Sequence, residues 1–247
     1  ITAVPEASTQ QTIGTLKLSY DFGAFTLRSI TGYVRTEDAF STDFSGNGLV
    51  NGANVADVDQ ISEELQVVGS AMDDRLNYIL GAYLFEEEGD QGFAWNSYAG
   101  VGSPFPVSTS RITAKTTSYS LFGQIDYQIT DALKATAGLR YTNDDKDFNL
   151  LFTSLLGAPP TTIVFADTFS ETTPKFSLDY TVPTSGSVDS MLLYASAANA
   201  FKSGGYSAIA IFSPVDVAQY TPETNWTYEA GIKTDLLGNR LRINANY

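Results

Sequence analysis

Between Ser118 and Thr142 the side chains alternate in character with a period of two, and they do so twice. Tyr119, Leu121, Ile125, Tyr127 and Ile129 share one parity, while Ser118, Ser120, Gln124, Asp126 and Gln128 hold the other. A tight Thr130-Asp131-Ala132 turn follows. Leu133, Ala135, Ala137, Leu139 and Tyr141 then alternate with Lys134, Thr136, Gly138, Arg140 and Thr142. Successive side chains of a strand point to opposite faces, so this pattern predicts an amphipathic β-hairpin. Each arm holds roughly ten alternating residues, which is enough for a tilted strand to cross a bilayer.

The same pattern recurs along the chain. It predicts strands near 15–20, 25–37, 60–69, 76–84, 175–182, 191–202, 228–233 and 241–247, making about ten with the hairpin. Short turns fall at Phe22-Gly23-Ala24, Met72-Asp73-Asp74, Pro183 to Asp189 and Leu237-Gly238-Asn239. Polar, Gly- and Asn-rich stretches near 38–57, 86–113, 143–167 and 203–221 read as long loops. Short and long connections alternate strictly, which places all short turns at one end of the sheet and all long loops at the other. Bacterial outer-membrane barrels have this asymmetry, with long extracellular loops.

A soluble up-and-down barrel also alternates, with its apolar face turned inward. Alternation alone does not decide which face is inside. Three features point to a membrane: the arms are long, the second face carries Gln, Lys, Asp and Arg in nearly every strand, and Tyr recurs near strand ends as interfacial girdles require. No apolar run is long enough for a transmembrane helix.

Composition removes several function classes. The 247 residues carry 14 basic against 28 acidic side chains, a formal charge of -14, which argues against nucleic acid as a partner. Histidine and cysteine are both absent. Their absence removes the commonest general base, the commonest transition-metal ligand, disulfides and thiol chemistry. No G-x-S-x-G elbow occurs, and Gly46-Asn47-Gly48 lacks the third glycine and strand-helix context of a nucleotide site. Carboxylate pairs are so numerous that none stands out as a glycosidase dyad. Asp145, Asp147 and Asn149 open like a calcium loop, but Leu150 and Leu156 occupy positions where that loop needs Gly and Glu. Asn225-Trp226-Thr227 matches a glycosylation sequon by chance in such a setting. The expectation is no enzyme, no cofactor and no metal site. Ile1 to Gln11 has no signal-peptide pattern, so an exported protein would begin upstream.

Several strings resemble the barrel of TonB-dependent outer-membrane receptors. They are Ile61-Ser62-Glu63-Glu64-Leu65-Gln66-Val67, Leu76 to Tyr83, and Ala137-Gly138-Leu139-Arg140-Tyr141-Thr142. Tyr194-Ala195-Ser196, Phe201 to Tyr206 and Tyr228-Glu229-Ala230-Gly231-Ile232-Lys233 belong to the same series. Each string is weakly specific, but the series runs in family order from about Leu16 to Tyr247. The resemblance implies residues 1–247 as part of an all-β transmembrane barrel of about 22 strands, plugged by a domain outside this sequence. It implies a Gram-negative outer-membrane receptor and transporter. Such a receptor takes up a scarce ligand, such as a siderophore, cobalamin or a glycan, with energy passed through TonB to the plug. Lipid and lipopolysaccharide would surround it. A passive porin-like channel and a soluble ligand-binding β-barrel are the alternatives.

Two groups of site residues follow. Gln124, Asp126, Arg140, Asp179, Glu229, Lys233 and Arg242 hold the polar parity and are placed to face the lumen or hydrogen-bond a plug; their plainer role is to hydrate the lumen and cross-link strands. The loop aromatics Phe93, Trp95, Tyr98, Phe105 and Tyr206 are candidates to stack on a ligand, although such residues more often pack a loop against itself. Acidic clusters at Glu37-Asp38, Glu86-Glu87-Glu88 with Asp90, and Asp144-Asp145 with Asp147 suit either cation binding at a lipopolysaccharide surface or a solvated rim.

Overall fold

Ten long strands pair in chain order in the computed structural model, which describes residues 6–46, 49–97, 105–207 and 217–247. They are β1 (Glu6–Asp21), β2 (Thr26–Asp43), β3 (Val50–Ala71), β4 (Leu76–Ser97), β5 (Phe105–Gln128), β6 (Leu133–Ser154), β7 (Thr161–Thr181) and β8 (Val188–Lys202), then β11 (Glu223–Leu236) and β12 (Leu241–Asn246). Two short strands, β9 (Gly205–Tyr206) and β10 (Gln219–Tyr220), pair only with each other. Every pairing is antiparallel, giving an up-and-down sheet whose edges are β1 and β12 and which does not close on itself.

Register carries each face across the sheet. Leu18, Ser29, Leu65, Ala82, Leu121 and Tyr141 form one cross-strand row. Leu121 is 61% exposed and its neighbour Ser120 only 1%, so the apolar parity is the exposed, outer face and the polar parity the inner one. Tyr20, Phe22, Tyr127 and Tyr180 sit on or beside the outer face near the short turns, and Tyr33, Tyr119 and Tyr141 bound the apolar band above. Those are the two aromatic girdles of a membrane barrel. One carboxylate, Glu63, lies on this face within the band. It accepts hydrogen bonds from Ser29 (2.6 Å) and Thr31 (2.5 Å), which share its face on β2.

Three of the four predicted long loops are corrected. Residues 38–43 and 50–57, most of 86–113, and 143–154 with 161–167 continue the strands; among the described residues of these stretches only 44–46, 49 and 155–160 lie outside them. Above the band the outer face turns charged. Thr12, Arg35, Asp59, Glu88, Lys115 and Asp147 form one row there. With both faces polar the alternation disappears from the sequence while the backbone ladder runs on. Of the 203–221 stretch, the described ends lie over the inner face through β9 and β10.

The short turns carry their own strain. Met72, Asp73 and Asp74 have positive φ (57°, 54° and 65°), as do Leu237, Gly238 and Asn239 (57°, 66° and 58°). Arg75 ties two neighbouring turns, donating to the carbonyls of Gln128 and Ile129 (3.1 and 2.8 Å).

Candidate functional site

The polar inner wall is cross-linked strand to strand. Asp126 accepts from Thr136 (2.6 Å) and Gln124 (3.3 Å), and Lys134 pairs with Asp179 (2.9 Å). Arg140 lies flat against the wall, 5.5 Å from the ring centres of both Tyr83 and Phe122, and donates to Ser120 (2.9 Å) and Thr142 (3.2 Å). Tyr194 donates to Glu229 (2.5 Å) and carries Lys233 over its ring at 5.0 Å. Arg242 grips Asp235 (2.6 Å). All seven polar candidates therefore stand on one face, spread from β5 to β12 as a lining and not as a cluster.

Higher on the same face the aromatic candidates gather. Trp95, 4% exposed, stacks on Phe93 (6.4 Å, 9°) and leans on Phe44 (4.9 Å). Gly52 makes room, because a Cβ there would sit 2.7 Å from the Phe44 ring and 3.0 Å from Trp95. Phe93 also packs against the buried cluster of Ile112, Phe148, Leu150, Phe152 and Val217, and so does Tyr206. Tyr206 stacks on Phe165 (4.8 Å, 6°) and touches Phe148 (5.4 Å). One continuous apolar patch thus joins Phe93, Trp95 and Tyr206. Phe105 begins β5, and Tyr98 lies outside the described residues.

Polar latches hold the folded-in connection onto this patch. The Tyr206 hydroxyl donates to Asp167 (3.0 Å), which also accepts from Gln219 (2.5 Å), and Lys146 donates to the Gly204 carbonyl (2.8 Å). Burial first, and then the Asp167 carboxylate, push the Tyr206 phenol up to about 12. Sequence reasoning missed Phe44, Phe148, Leu150, Phe152 and Phe165. The signal was present as Phe-x-Leu-x-Phe at 148–152, hidden because Asp147, Asn149 and Leu151 give no clean polar parity.

The predicted acidic clusters lie within the ladder and split between faces. Glu37, Glu86, Glu88, Asp90, Asp145 and Asp147 face outward, where Asp57 and Asp59 of β3 join them, while Asp38, Glu87 and Asp144 face inward. Outward cations are paired within this collar: Arg35 with Glu37, Asp57 and Asp59, Arg111 with Asp90 (2.6 Å), and Lys115 with Glu86 (3.0 Å). The Asp90 hydrogen bond and charge hold the Arg111 guanidinium above its ordinary value. Among the described residues, no group of three or more acidic side chains has metal-holding geometry. Below the collar, an apolar groove of about 520 Å³ runs along the outer face between Ile125, Tyr127, Ala135, Ala137, Phe176 and Leu178.

A TonB-dependent receptor-like β-barrel model matches residues 3–247. The chain belongs to the TonB-dependent receptor β-barrel family. This receptor barrel is similar to the ferric yersiniabactin uptake receptor FyuA of Yersinia pestis (TM-score 0.84, 14% identity), covering 98% of this chain and 35% of that one. It is also similar to the siderophore receptor PiuA of Acinetobacter baumannii (TM-score 0.67, 18% identity, 97% and 40% covered). The ferric-catecholate import receptor Fiu of E. coli K12, in its closed form, matches with TM-score 0.68 and 13% identity over 99% and 41%. At these identities the likeness shows the fold. The receptor barrel described here spans about two-fifths or less of those chains.

Proposed function

We propose that this chain is wall from the barrel of a Gram-negative outer-membrane receptor that takes up a scarce small molecule with TonB-transmitted energy. The observation that carries it is the sorting of the two faces. The outer one is apolar between aromatic girdles and charged above them, and the inner one carries most of the polar and charged side chains of the lower half. A lipid-facing band needs the first and a hydrated, plugged lumen the second. A soluble barrel would turn Leu84, Leu121 and Ile125 to a core, yet these are 58%, 61% and 46% exposed.

In this reading the short turns face the periplasm and the tall upper wall stands at the cell surface. The collar of paired charges meets the lipopolysaccharide headgroups. Gln124, Asp126, Arg140, Asp179, Glu229, Lys233 and Arg242 line the lumen against the plug. Phe93 offers flat apolar surface at the mouth, with Trp95 buried behind it as its support, and Tyr206 narrows the entrance beside them. A ferric chelate is the favoured ligand class, since the similar structures are named as receptors for such compounds. No residue here needs to be catalytic, because binding and gated passage make no or break no covalent bond.

The test is uptake of a labelled ferric chelate by cells expressing the full-length receptor, with and without TonB. Uptake abolished by loss of TonB supports the proposal. Uptake independent of TonB and linear in ligand concentration identifies a passive channel instead.

A further inference from the structure

The sheet is split between two consecutive strands. β6 and β7 pair along nearly their whole length, from Leu133↔Tyr180 up to Phe152↔Thr161. β7 and β8 pair only from Lys175 to Thr181. The ladder stops at Pro174, which has no N–H to give. Above it, Thr161 to Thr173 form a strand edge with no backbone partner on the β8 side among the described residues. The described ends of the 203–221 connection pack on the inner face and pair with each other, Ser207 N to Ala218 O at 2.8 Å, not with this edge.

Parity fixes which groups this edge presents. The Thr181 amide bonds Ala132 on the β6 side (2.8 Å), and the Val182 amide bonds Met191 on the β8 side (2.9 Å). Odd residues of β7 therefore spend their backbone groups on β6. Thr162, Val164, Ala166, Thr168, Ser170 and Thr172 aim N–H and C=O out of the edge. The stretch is Thr-Thr-Ile-Val-Phe-Ala-Asp-Thr-Phe-Ser-Glu-Thr-Thr, rich in β-formers and free of Lys, Arg and Pro. Exposed edges are often blunted with Lys or Pro, and this one has neither, its only charges being the carboxylates Asp167 and Glu171. Only an extended polypeptide matches such an array of donors and acceptors. Asp167 and Glu171 stand on the edge strand and Asp144, Asp145 and Asp147 on its β6 neighbour; of the cations nearby, Lys146 is engaged by the Gly204 carbonyl and Lys175 lies below the edge, past Pro174.

We propose that the free edge of β7 binds a basic, extended peptide segment of another polypeptide as an added strand. Its position outside the cell rests on the receptor reading above; the edge itself does not.

The experiment uses the full-length receptor in detergent and a twelve-residue peptide of alternating Lys and Thr, with a Glu-Thr peptide as control. Amide hydrogen exchange is followed at the even residues from Thr162 to Thr172. At a peptide concentration about ten times its Kd, exchange there should slow about tenfold. The acidic control should leave it unchanged. The double variant Ala166→Pro, Ser170→Pro removes two edge donors without touching the β6 ladder, so it should abolish protection while exchange in β5 and β6 stays as before. No protection by the basic peptide overturns the proposal. So do equal protection by the acidic one, slow exchange of these amides in the receptor alone, and protection that grows with receptor concentration without peptide, which would mean a second copy fills the edge. The readout requires no transport, so it stands apart from the uptake test.

Discussion

The Tyr206 hydroxyl reaches across from the 203–221 connection to the Asp167 carboxylate on β7, 3.0 Å away. Burial and this bond push the docked phenol up to about 12, against 10.0 for a free one. A raised folded value means the neutral form is favoured when the connection is docked. Its contribution is whole below pH 10 and is lost as pH climbs toward 12. Ultraviolet titration should show Tyr206 contributing to the late-forming tyrosinate, together with faster proteolysis of the connection. Tyr206→Phe should remove its share of the late tyrosinate and loosen docking by about 0.5–1.5 kcal/mol, while leaving the stack on Phe165 in place. An unchanged titration in that variant would assign the late proton elsewhere.

Leu121 and Gln124 test the two faces of one strand. Leu121→Arg places a charge on the outer band and should cost about 2–4 kcal/mol of folding into phospholipid vesicles. Gln124→Arg, on the inner face, should stay within about 1 kcal/mol. Equal costs at both positions would contradict the assignment of faces.

Phe122 rests on Gly81, where a Cβ would lie within 2.2 Å of the ring. The same ring carries the Arg140 guanidinium. Gly81→Ala should displace Phe122 and cost about 1–3 kcal/mol. Pairing it with Arg140→Met should cost less than the sum of the two single changes, since both disturb one contact. Strict additivity in thermal melts would show that ring and guanidinium are independent.

Leu237 holds a left-handed φ of 57° in an exposed turn, a conformation that costs a branched residue about 1 kcal/mol or more. Leu237→Gly should therefore leave stability unchanged or raise it by up to about 1 kcal/mol, read as a higher melting temperature. A lowered one would mean that the Leu237 side chain makes contacts worth more than its strain.

The lower half of this fold was legible because, on the proposed receptor reading, lipid enforces the signal. Leu121, Ile125, Leu139 and Tyr141 must be apolar while Gln124, Asp126 and Arg140 must not, and the alternation follows directly. Above Tyr119 and Tyr141 the outer face turns charged, with Glu86, Glu88, Asp145 and Asp147 where leucines stood below, so strand looks like loop. The aromatic patch was half visible. Trp95 and Tyr206 stood out by type, but the stack of Tyr206 on Phe165 depends on a connection folding back across the wall, which no local pattern encodes. The β7 edge left one trace, Pro174, whose meaning needed the register of β8.

The chain has no cysteine, which permits a direct measurement of where the wall sits. Single cysteines at Ser45 in the β2–β3 connection and at Ala132 in the β5–β6 turn can be probed with a membrane-impermeant maleimide in the full-length receptor, freed of any other cysteine. In intact cells Ser45→Cys should label and Ala132→Cys should label only after the outer membrane is opened. Labelling of both in intact cells, or the reverse pattern, would contradict an outer-membrane wall with its tall end outside.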